Sequence, residues 1–127
     1  MKITADKKLI DIQREFSEKF PSLKIEFYPG HHEAGEGSPA DQTLDIQLTI
    51  GAVRSVHKEG DLRIDGDMEV RELEQKFYDD YGLNVQVFRK SGHLWMQTSA
   101  TDHWSLDKQN RKGGHSEAIV NEENTEV

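Results

Sequence analysis

The sequence predicts a small α+β fold, a two-layer sandwich with two amphipathic helices on a mainly antiparallel sheet. Two observations lead there: two segments carry helical periodicity, and each runs directly into a segment of alternating apolar residues. Length agrees, since 127 residues suffice for one hydrophobic core and fall short of two. A hydrophobic fraction of 34% against a charged fraction of 31% makes that core a small one.

The first helix is read from Leu9, Ile12, Phe16 and Phe20, whose spacing puts them on one face while Lys8, Asp11, Arg14, Glu15 and Glu18 fill the others. Thr4 is its expected N-cap. Pro21 stops it, because proline has no amide hydrogen and disfavours helical geometry in the residue before it. Leu23, Ile25 and Phe27 then alternate with Lys24, Glu26 and Tyr28 as a strand.

Val70, Leu73, Phe77 and Tyr81 repeat the spacing of the first helix at a constant offset of 61 residues. Gly82 stands where Pro21 stood, as a left-handed C-terminal residue, and Leu83, Val85 and Val87 alternate in the following strand. Each half then offers another strand: Leu44, Ile46, Leu48 and Ile50 in the first, Leu94, Met96 and Thr98 in the second. The pattern is a helix-strand-strand unit occurring twice, as an internal duplication would leave it. A β-grasp-like arrangement is the alternative, because hairpin, helix, hairpin describes residues 44–98.

Between the units, 52–57 and 61–65 read as a hairpin, and Asp65-Gly66-Asp67 as a turn that caps the second long helix. Ser105 caps a short last helix that Gly113-Gly114 should end. Residues 1–112 are thus expected to form a single α+β domain, and 113–127 a flexible acidic C-terminal tail.

Charge and composition exclude several functions. A net charge of −8 repels phosphate backbones and anionic lipid, so neither nucleic acid nor a membrane is expected as partner. The absence of cysteine removes disulfides, thiolate metal sites and cysteine nucleophiles, and suits a reducing compartment. With no signal-peptide pattern and no apolar run approaching the ~20 residues of a membrane span, a cytoplasmic protein is the expectation. Phosphate loops of the GxGxxG or GxxxxGK[ST] type are missing as well.

Two clusters carry chemically capable side chains. The excursion between Pro29 and Thr43 holds His31, His32, Glu33, Glu36 and Asp41, all metal-binding types, but without HExxH or EF-hand spacing. A solvated loop explains them, so neither metal nor cofactor is assigned. The stretch from Thr98 to Ser105 combines hydroxyls with Asp102 and His103, yet lacks a nucleophile-elbow pattern, and turn and cap chemistry accounts for most of it. No catalytic residue is assigned there.

Binding is the better use of that region. Trp95 is out of phase with Leu94 and Met96, so it should share the opposite sheet face with Gln97 and Phe88. Trp95, Asp102, His103 and Trp104 are therefore the candidate binding residues of a non-catalytic protein-interaction module, whose partner is another protein or a second copy in a homodimer. The competing expectation is a small metal-dependent or acid-base hydrolase that joins His31, His32 or Glu33 to Asp102 and His103. It requires the long loop to lie over the second hairpin.

Overall fold

The computed structural model describes the backbone of residues 1–125 apart from 31–33, 36, 38–41 and 55, and side chains through residue 119. In chain order the elements are β1 (Lys2–Ile3), α1 (Leu9–Lys19), β2 (Leu23–Tyr28), α2 (Ile50–Val53), β3 (Gly60–Asp61), α3 (Val70–Tyr81), β4 (Asn84–Ser91), β5 (Leu94–Gln97), a 3₁₀ turn (Ser99–Thr101) and α4 (Leu106–Thr125). Among the described residues every strand pairing is antiparallel: β2, β4 and β5 form one sheet in that order, and β1 pairs with β3 apart from it. The protein is a mixed α+β fold of helices on antiparallel sheets.

The helical periodicity points where it should. Leu9, Ile12, Phe16, Phe20, Val70, Leu73, Phe77 and Tyr81 are all buried, against Leu23, Ile25, Phe27, Leu83, Val85 and Val87 from the strands. Each large apolar side chain so removed from water contributes about 1.5–3 kcal/mol. Pro21 follows the end of α1, and Gly82, at φ 64°, closes α3 with its amide bonded to the Tyr78 carbonyl at 2.8 Å. A residue with a Cβ would be strained at that φ.

The four helix N-termini are joined in pairs. Isolated antiparallel bridges link Lys8 to Thr49 and Glu69 to Ser105, the residues just before α1, α2, α3 and α4. At the first junction the amides of Leu9, Ile10, Ile50 and Gly51 donate to the carbonyls of Leu48, Ile46, Lys7 and Ala5. At the second, Val70, Arg71, Leu106 and Asp107 donate to Trp104, Asp102, Met68 and Gly66 in the same pattern. The capping chemistry matches too: Asp11 and Glu72 accept from the amides of Lys8 and Glu69, while Thr49 and Ser105 accept from Ala52 and Lys108. Amides that would otherwise be orphaned at four helix starts are thereby satisfied.

Several local expectations are corrected by these junctions. Lys8, not Thr4, precedes α1, and Glu69 precedes α3. The strand expected over Leu44, Ile46, Leu48 and Ile50 is a turn entering α2, and its apolar alternation comes from extended residues approaching a helix start. The hairpin expected over 52–65 is absent among the described residues; Gly60–Asp61 pairs with Lys2–Ile3 instead. Without it the β-grasp-like alternative loses its first hairpin.

The last helix does not end at Gly113-Gly114 but continues through both to Thr125. Glycine is needed at 113 for contact, since a Cβ there would fall 2.9 Å from Ser22 Cβ and 3.3 Å from the Lys90 nitrogen. Asn110 accepts from the Ser22 amide at 2.8 Å, and Ser116 bridges the Lys90 carbonyl and the Gly92 amide. These contacts lay α4 across the start of β2 and along β4 to the tip of the β4–β5 hairpin.

Candidate functional site

The register of the sheet decides what its open edge presents. Arg89 lies opposite Met96 and Lys90 opposite Trp95, so Arg89, Met96 and Leu94 share one face, and Lys90, Trp95 and Gln97 the other, with Lys24 and Phe88. Gly92, at φ 64°, makes the tight turn that fixes this pairing.

The two edges of the sheet differ. On β2 the outward carbonyls of Leu23, Ile25 and Phe27 are all taken, by Ser17 Oγ at 3.0 Å, Gln13 Nε2 at 2.9 Å and the Leu44 amide at 2.8 Å. On β5 the Thr98 amide donates inward to the Val87 carbonyl, so the backbone groups of Trp95 face outward by alternation. Among the described residues no hydrogen bond engages them. Beside them Leu94 is 74% exposed and Met96 38%, because β5 lies past the reach of α1 and α3. Both point to the helix-bearing side as expected, but among the described residues no helix covers them.

Each face of the sheet carries a half-buried tryptophan between two cations. Lys24 and Lys90 place their ammonium groups 5.1 and 4.7 Å from the Trp95 ring centre. Arg89 and Lys108 stand 5.4 and 4.1 Å from that of Trp104. Such contacts are worth about 0.5–1 kcal/mol each at exposed sites. Lys24 also pairs with Glu26 at 3.3 Å, whereas Arg89, Lys90 and Lys108 have no carboxylate partner among the described residues.

The predicted binding residues are thus divided. Trp104, His103 and Asp102 adjoin one another, with the His103 and Trp104 rings 6.5 Å apart, but Trp95 is on the other face of the sheet. His103 is exposed. Asp102 is buried, its carboxylate accepting the Gly35 amide at 2.6 Å and its carbonyl the Arg71 amide at 2.8 Å. Hydrogen bonding to Glu69, and more weakly the charge of Asp102, holds the Arg71 guanidinium above its usual pKa.

Sequence reading overlooked Lys24, Arg89, Lys90 and Lys108. Counting back through a two-residue turn at Gly92-His93 would have placed Lys90 against Trp95. Tyr28, Asn84, Gln86 and Phe88 are covered and buried on the face that carries Trp95, and Gly37 lies against the Gln97 side chain. α4, which packs toward Arg89, does not supply that cover.

His31, His32, Glu33, Glu36 and Asp41 lie outside the described residues. Among the described residues no group of three histidines or carboxylates could hold a metal ion. A cleft of about 490 Å³ past the end of β2 is lined mainly by Phe27, Tyr28, Leu44, Val53, Tyr78 and Leu83 and includes none of the predicted site residues. No helix among the described residues is long and apolar enough to cross a membrane. No protein-family model, curated protein or solved structure matches the chain.

Proposed function

We propose that this chain is a non-catalytic protein-interaction module that takes a partner segment along the open edge of β5. The contrast between the sheet edges carries the proposal: the outward carbonyls of β2 are engaged, and the outward backbone groups of Trp95 have no partner among the described residues. An added strand would satisfy them and cover Leu94, at about 25 cal/mol for each Å² of apolar area removed from water. The proposal needs neither metal nor cofactor, and the lack of cysteine suits work in the cytoplasm. The matched hydrogen bonds at the two helix junctions favour descent of both halves from one duplicated unit, with the hairpin edge as the later specialisation.

Selection from a displayed peptide library tests the module without assuming a partner. Extended peptides should be enriched, and Trp95→Pro should abolish their binding while leaving the fold intact, because the lost amide hydrogen faces away from the ladder. An empty selection, or binding that survives the proline, would sink the proposal.

One observation favours a second reading, the small hydrolase. The Gly35–Asp102 bond brings the chain just after His31, His32 and Glu33 to the segment that holds His103. Metal analysis of untagged protein decides it: stoichiometric metal lost on mutating His31 and His32 would support it, and metal-free protein without hydrolytic activity would remove it.

A further inference from the structure

We infer that the segment received by β5 is an acidic strand, with carboxylates alternating with apolar residues, supplied by another protein rather than by a second copy of this chain. The inference rests on the edge-docking reading and deepens it. A strand laid beside Trp95 projects alternate side chains to the two faces of the extended sheet. On one face they come beside the Trp95 ring, with Lys90 of β4 and Lys24 of β2 behind it; on the other they meet exposed Leu94 and Met96, with Arg89 and Lys108 behind them around Trp104. Carboxylates suit the first set and aliphatic side chains the second.

Charge separates the two occupants. The chain as a whole carries −8, yet Arg89 and Lys90, on the strand next to this edge, and Lys108, on α4, have no carboxylate partner among the described residues. A second β5 edge, Leu94-Trp95-Met96-Gln97, carries no carboxylate that could pair with them. An acidic strand turns the same charges into attraction, strongest at low ionic strength.

A capped synthetic peptide of alternating glutamate and valine is the probe, with the glutamine-valine peptide as its uncharged control. Binding is followed by amide exchange at Trp95 and by titration. The glutamate peptide should slow Trp95 exchange, bind about tenfold more tightly than the control, and lose about tenfold in affinity with Lys90→Glu or Lys24→Glu. Equal binding of the two peptides overturns the acidic preference but leaves the edge reading standing. Concentration-dependent dimerisation that protects Trp95 replaces the acidic partner with a second copy. Failure of both peptides, together with an empty library selection, removes the edge reading itself.

Discussion

Arg89 donates from Nη1 to the side-chain oxygen of Gln109 at 2.8 Å, and that bond fixes where a cation stands beside Trp104. Gln109 is fully buried on α4, and its Nε2 donates to both the carbonyl and the hydroxyl of Thr101, each at 2.8 Å. One amide thus ties α4, β4 and the 3₁₀ turn together. Gln109→Leu keeps much of the volume but removes both bonds to Thr101, leaving its carbonyl only the Trp104 amide, and releases Arg89, so about 2–3 kcal/mol of stability should be lost. Urea denaturation reads the loss, and an unchanged midpoint would contradict the network.

The neighbouring glycines of α4 should respond in opposite directions. A Cβ at Gly113 meets Ser22 Cβ at 2.9 Å and the Ser22 carbonyl at 3.0 Å, whereas one at Gly114 meets only Ser22 Oγ, at 3.4 Å. Alanine is favoured over glycine in a helix interior by about 1 kcal/mol. Gly114→Ala should therefore raise the melting temperature and Gly113→Ala lower it. Stabilisation by both would mean that α4 does not pack closely on Ser22.

Local rules made the long elements legible. The positions from Leu9 to Phe20 and from Val70 to Tyr81 announce their faces by spacing alone, and Gly82 and Ser105 act as the caps their chemistry suggests. Errors fall where partners are distant in sequence. Leu44, Ile46, Leu48 and Ile50 alternate like a strand because extended residues lead into α2, and Ile64, Met68 and Val70 alternate before α3 for the same reason. The pairing of Lys2–Ile3 with Gly60–Asp61 leaves no local trace. Gly113 imitates a helix end because small size for contact and freedom to turn use the same residue. Trp95 was singled out for its phase, but its cations required the hairpin register and the β2–β4 pairing together.

The paired helix junctions predict an ordered loss from cap mutations. Ser105 Oγ accepts the Lys108 amide at 3.1 Å at the head of a 20-residue helix, and Thr49 Oγ1 accepts the Ala52 amide at 3.3 Å at the head of one with 4 residues. Removing a hydroxyl N-cap costs about 1 kcal/mol. Ser105→Ala should show that full loss and Thr49→Ala roughly half of it, with the double variant additive, since the two sites belong to separate junctions. Thermal melts check the order; a larger effect at Thr49 would make the first junction the more important to stability.

Tyr28 should make stability fall in alkali. Its hydroxyl is buried on the outer sheet face without a hydrogen-bond partner among the described residues. Burial, aided by the Glu26 carboxylate, pushes its pKa up to about 12 from an ordinary value of 10.0. Above pH ~10 the unfolded chain releases this proton while the folded chain keeps it, so the unfolded state is favoured progressively as the pH rises toward ~12. Below that window the contribution is fully present; across it, on the order of 1–2 kcal/mol is lost. Tyr28→Phe removes the titrating group along with the unpaired hydroxyl. The variant should be at least as stable as the parent near neutral pH and should decline less between pH ~10 and ~12. Urea midpoints for both proteins across that range measure the difference, and parallel declines would show that the Tyr28 phenol ionises as readily in the folded chain as in the unfolded one.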